Sequence, residues 1–139
     1  MALSLVWDSD LDFHAGPDSP ELKLASSREG VYSPMTLLAQ AIMGCMAMDV
    51  VHILQKGRHD LKGLTVSFDG ERAADAPKRY TKVHLTFRVT GAVLKDVVER
   101  AIALSHEKYC SVSNTLRQDL VFTTSIELDG ALQRQTDAH

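Results

Sequence analysis

Residues 34–56, PMTLLAQAIMGCMAMDVVHILQK, are apolar around most of a helical circumference rather than along one narrow stripe. Leu37, Leu38, Ala41, Ile42, Cys45, Met48, Val51 and Leu54 recur at helical spacing, and Met46, Val50 and Ile53 widen the stripe. Ser33 is a good N-cap, and Pro34 suits the first helical position, where its missing N–H leaves nothing unsatisfied. At the other end Lys56 suits the negative pole of the helix, and Gly57 can take a left-handed cap. A helix this apolar must be buried on most sides, so everything else in the chain has to serve as its wrapping.

The wrapping reads as β-structure in adjacent groups. Residues 1–29 hold short alternating pieces, LSLVW, LDFHA and ELKLA, separated by Asp, Ser, Gly and Pro, which predicts a small meander. After the helix come two strands of clean period two, LTVSF (Leu64, Val66, Phe68) and KVHLTFRV (Val83, Leu85, Phe87, Val89), joined by the polar loop DGERAADAPKRY. Leu94, Val97, Val98, Ala101, Ile102 and Leu104 then predict a second, amphipathic helix. Ser111 is the expected cap of a third, short one. LVFTTSIEL predicts a closing strand, and the polar tail 129–139 is expected to fray. Strands in groups rather than singly alternating with helices define an α+β fold. At 139 residues it is expected to be a single domain, 1–139, with N-terminal strands at 1–29 and a core at 30–128.

Composition removes several partners. With 15 Lys and Arg against 18 Asp and Glu, a net charge of −3 and no basic cluster, the chain carries no nucleic-acid stripe or polybasic membrane patch. The N-terminus lacks a secretory pattern, and Asp49 and His52 are expected to interrupt the best apolar run short of a membrane span, so the chain is expected to be soluble and cytoplasmic. Two cysteines without CxxC spacing are too few for a disulfide scaffold and make no ready zinc motif.

Chemistry therefore concentrates on those thiols. Cys45, Asp49 and His52 lie at i, i+4 and i+7 on one helical face, where a thiol, a carboxylate and an imidazole could meet. The alternative is a thiol packed as a small hydrophobe, with the two polar groups satisfied elsewhere. Cys110 precedes SVSNTL, where the amides of the third helix would favour its thiolate, so local physics makes it the more acidic of the two. His106 could orient it. Cys45, His52, His106 and Cys110 together have ligand types that suit zinc, although their spacing fits no usual pattern. Arg28, Arg58, His59 and Arg79 lie in predicted loops as candidate anion or peroxide contacts, or as plain surface charge.

SPMTLLAQAIMGCMAMDVVHILQKGRHDLKG and ALSHEKYCSVSNTL together resemble the two cysteine motifs of the OsmC and Ohr family, the osmotically inducible and organic hydroperoxide resistance proteins, with the match closest to its YhfA-like branch. The resemblance runs in order over roughly residues 30–128. It implies an OsmC-like fold, a long buried central helix wrapped by antiparallel sheet, in an intertwined homodimer. It also implies that Cys45 is a peroxidatic and Cys110 a resolving cysteine of a thiol-dependent peroxidase of organic hydroperoxides. That chemistry passes through a Cys45 sulfenic acid and a Cys45–Cys110 disulfide reopened by a dithiol reductant, with no metal or organic cofactor. The family pattern places Glu two residues after the motif proline, where it orients a catalytic Arg; here that position is Thr36, and Arg28 is the only arginine before Cys45. Arg28, Thr36, Asp49 and His52 are thus the supporting candidates. The departure at Thr36 keeps open an alternative, a weakly active or non-catalytic relative that senses redox state or binds a lipid-like ligand.

Overall fold

The computed structural model of the chain describes residues 2–129 and 131–134. It comprises two compact units, residues 1–40 and 41–139. In the first, β1 (Leu5–Ser9), β2 (Asp12–Ala15) and β3 (Lys23–Leu24) form the expected antiparallel meander in the order β1-β2-β3. Asp10 turns the β1–β2 hairpin with a left-handed φ of 47°, and its carbonyl accepts the Trp7 indole N–H at 2.9 Å.

The helix α1 spans Pro34–Lys56, the limits its cap residues predict. Ser33 Oγ accepts the Thr36 N–H at 3.2 Å while Thr36 Oγ1 accepts the Ser33 N–H at 2.9 Å, a reciprocal capping box with threonine in the position usually held by Glu or Gln. The C-terminal cap differs from expectation. Arg58, not Gly57, takes the left-handed conformation, with φ 61°. The His59 N–H reaches Leu54 O and the Arg58 N–H reaches Gln55 O, both at 3.0 Å. That is the Schellman pattern, and it moves the left-handed position one residue past Gly57. By length and apolar character α1 also meets the requirement for crossing a membrane, so Asp49 and His52 do not interrupt it as expected. Burial on most sides, expected from its composition, is not what it has within one chain: Ile42, Met46, Val50 and Leu54 are fully buried along one side, while Met48 on another is exposed.

In the second unit β4 (Asp60–Arg72) and β5 (Tyr80–Ala92) make an antiparallel hairpin, followed by α2 (Lys95–Leu104), a π-helical turn (Ser105–Tyr109), α3 (Ser111–Thr115), β6 (Val121–Leu128) and β7 (Ala131–Arg134). The strands run longer than the hydrophobic alternation suggests. Asp69, Gly70 and Glu71, read as loop, continue the ladder opposite His84, Val83 and Lys82. Gly91 sits at φ +118°, and a Cβ there would meet the Asp60 carbonyl, so this residue must be glycine for the strands to close up beside it.

The sheet order is β4-β5-β6-β7, and it is mixed rather than wholly antiparallel, because β5 and β6 pair in parallel from Lys82↔Val121 to Val89↔Leu128. Parallel neighbours require a crossover, and α2, the π-helical turn and α3 supply it. One face of the sheet carries the buried Val83, Leu85, Phe87, Val89, Phe122 and Ile126. The other carries Lys82, His84, Arg88, Thr123 and Glu127. On α2 the buried stripe is Val98, Ala101 and Ile102. The tail differs from expectation too: Ala131–Arg134 pairs with β6 as an antiparallel strand, and residues 135–139 lie outside the described residues.

Candidate functional site

Cys45 lies in the middle of α1, between the fully buried Ile42 and Met46, and is itself partly exposed. Asp49, one turn further, is half-buried and accepts a hydrogen bond from Ser105 Oγ at 2.8 Å. His52 is exposed. With Asp49, Ile53, Lys56 and Tyr109 it lines a hollow of about 450 Å³. Asp49 and His52 line this hollow together, but Asp49 is directed to Ser105.

Cys110 is fully buried and extended, with φ −72° and ψ 103°. It, rather than Ser111, is the N-cap of α3: its Sγ accepts the Ser113 N–H at 3.3 Å. Its N–H donates to Ser105 O at 2.7 Å, the five-residue span of the π-helical turn. Its carbonyl accepts the Asn114 N–H at 3.1 Å and Asn114 Nδ2 at 2.8 Å, and Asn114 Nδ2 also reaches His106 O at 3.1 Å. Sequence and backbone thus fix this cysteine from both sides.

The two thiols lie near enough for Cys45 to act on the ionisation of Cys110. Burial pushes the Cys110 thiol above its ordinary pKa; the Ser113 hydrogen bonds pull the other way, and Cys45 adds to the rise. Burial thus works against the expectation that the α3 amides make Cys110 acidic. The amide is present, but the desolvation of a buried thiolate outweighs it.

The remaining candidates divide. Thr36 spends its hydroxyl on Ser33, also donating to the Ser33 carbonyl at 3.1 Å. Arg28 Nη1 pairs with Asp12 Oδ2 at 2.8 Å in the N-terminal meander. Arg79 stands 3.9 Å from Asp119 Oδ2, and Arg117 grips the same carboxylate with Nε and Nη2 at 3.0 and 2.8 Å. Arg58 and His59 form the α1 cap. The His106 ring lies against Phe122, centroids 4.7 Å apart. Among the described residues no three His, Cys, Asp or Glu side chains gather as a metal-holding group, so Cys45, His52, His106 and Cys110 do not form a soft-ligand site. Sequence reasoning missed Ser105, Ser113 and Asn114. Their hydrogen bonds depend on the π-helical turn, which helical periodicity does not announce.

A partly exposed thiol on the long helix and a buried one in the helical crossover are the two cysteines of the site, and known proteins share both the sequence and the fold that carry them. The OsmC-like protein family matches residues 27–125. Protein YhfA of Escherichia coli K12 is 47% identical over 100 residues, covering 71% of this chain and 75% of that protein. The crystal structure of a hypothetical protein from Aquifex aeolicus VF5 superimposes with a TM-score of 0.83 at 30% identity, over 92% of this chain and 95% of that one. An organic hydroperoxide resistance protein of Legionella pneumophila shares the fold at a TM-score of 0.66 and 20% identity, over 92% and 96% of the two chains. The chain belongs to the OsmC-like protein family.

Proposed function

We propose that this protein is a thiol-dependent peroxidase of organic hydroperoxides. The Cys45 thiolate attacks the outer peroxide oxygen, the O–O bond breaks, and the alkoxide leaves as an alcohol after taking a proton. Cys45 becomes a sulfenic acid. The Cys110 sulfur then attacks the Cys45 sulfur, water leaves, and a Cys45–Cys110 disulfide remains for a dithiol reductant to reopen by exchange. The tie that Ser105 makes between the helix of Cys45 and the backbone of Cys110, which keeps the two thiols in one neighbourhood, supports this reading. Exposure supports this order of attack: Cys45 is partly exposed, whereas Cys110 is buried and its thiol is pushed up by that burial.

Organic hydroperoxides as substrates are in keeping with the name of the Legionella relative. We assign the cycle to a homodimer in the reducing cytoplasm, with Arg28, Asp49 and His52 as supporting groups. One observation favours a second reading, a weakly active relative that senses redox state or holds a lipid-like ligand: the Thr36 hydroxyl is committed to the helix cap and carries no charge to orient an arginine.

The test is to mix reduced protein with a slight excess of an organic hydroperoxide and follow free thiols and intact mass. Fast loss of two thiols and two hydrogens is expected. In Cys110→Ser the oxidised Cys45 should be trapped, and in Cys45→Ser nothing should happen. Loss no faster than for a free thiol would leave the second reading in its place.

A further inference from the structure

Ser105 is bonded to both thiol-bearing segments. Its hydroxyl, fully buried, donates to Asp49 Oδ2 at 2.8 Å, and Asp49 follows Cys45 by one turn of α1. Its carbonyl accepts the Cys110 N–H at 2.7 Å. A single residue therefore ties the helix of one cysteine to the backbone of the other. The bond to the carboxylate belongs to the stronger class of hydrogen bond, and a buried hydroxyl deprived of its acceptor would carry the cost of an unsatisfied donor. The extra residue of the π-helical turn makes this possible, because Ser105 and Cys110 are joined over five residues rather than four, which re-aims the chain just before the cysteine.

We propose that Ser105 and Asp49 are positioning residues that hold the segments bearing Cys45 and Cys110 in one fixed arrangement and so set how readily a disulfide between them forms. The inference rests on the two thiols being a redox pair, but not on peroxide being their oxidant. Two thiols held together close a disulfide with a high effective concentration, and loosening them lowers it. Against glutathione the exchange balances as protein dithiol plus oxidised glutathione giving protein disulfide plus two reduced glutathiones, two electrons and two protons passing to the glutathione.

The experiment equilibrates the full-length protein in glutathione buffers of varied ratio without peroxide and measures the disulfide fraction by intact mass, for wild type, Ser105→Ala, Asp49→Asn and the double variant. The equilibrium constant is expected to fall about tenfold in each single variant, a potential about 30 mV less negative for a two-electron couple. The double variant should fall no further, since the two residues act through one bond. Lys108→Ala, an exposed change in the same turn, should leave it unmoved. Asp49→Asn keeps the side-chain volume on a half-buried site, so it carries the test if Ser105→Ala does not fold. Constants within twofold of wild type, or additive losses, overturn the proposal, and so does a wild type that never forms the disulfide. A wild type that forms it with glutathione but ignores hydroperoxide would sink the peroxidase reading and leave this inference standing.

Discussion

Cys110 is pulled in two directions at the residue scale. Ser113 offers an N–H to the sulfur, which favours the thiolate, while burial favours the thiol and prevails. A thiol whose pKa is raised by folding binds its proton more tightly in the folded than in the unfolded chain. Its contribution to stability is therefore full below the unfolded value of about 8.5 and is lost as pH rises through the raised folded one. Reduced wild-type protein should lose stability above about pH 8.5 faster than Cys110→Ser does, as read from urea midpoints over that range. Tyr80, also raised by burial, cancels in the difference. Equal pH slopes would mean the folded chain does not hold that proton. The identity of both cysteines was plain in the sequence. The balance of forces on Cys110 was not, because an N-cap can be guessed from neighbours one residue away, whereas burial depends on elements distant in the chain.

At the scale of elements, α1 was the most legible part of the molecule, since Ser33, Pro34 and Lys56 mark its ends by local chemistry alone. Its left-handed cap was misplaced by one residue because two neighbouring positions can serve and only the Schellman bonds decide between them. Arg58→Gly relieves a side chain held at φ 61°, so it is expected to raise stability by about 0.5–1 kcal/mol in thermal or urea unfolding, the glycine's extra unfolded-state entropy already discounted. Thr36 closes the other end. Thr36→Glu keeps the capping-box position, adds a negative charge to the first turn, and supplies the carboxylate that the family pattern uses to orient an arginine. It should preserve folding and speed Cys45 oxidation by an organic hydroperoxide about tenfold, roughly 1.4 kcal/mol of activation. An unchanged rate with intact folding would mean that Arg28 is not the group such a carboxylate serves. The π-helical turn and the parallel β5–β6 pairing were hidden for different reasons. Periodicity cannot register one inserted residue, and alternation is the same in parallel and antiparallel strands. The stretch of helix between β5 and β6 was the available signal for the crossover.

For the whole molecule, the α+β class followed from the grouping of strands, and the family from two cysteine motifs read together. The sequence also carried a puzzle of surface. On α1 the fully buried residues fall along one side, yet Met48 is 74% exposed, and Leu64, Val66 and Phe68 on β4 are only half-buried. A second copy of the chain covering such surface is what the proposed homodimer provides. Sedimentation of the native protein should therefore give about twice the 15.3 kDa chain mass at micromolar concentration, and a monomer mass would remove the dimer from the proposal.

The Ser113 N–H that ends on the Cys110 sulfur makes α3 a reporter. A sulfur drawn into a disulfide is a poorer acceptor than a thiol or thiolate, so the first turn of this five-residue helix should loosen when the pair is oxidised. The Ser113 amide resonance would then shift, and its proton would trade with deuterium faster in the oxidised protein than in the reduced one. The redox history of the two cysteines would thus be written in one backbone amide, legible by NMR without any label on sulfur.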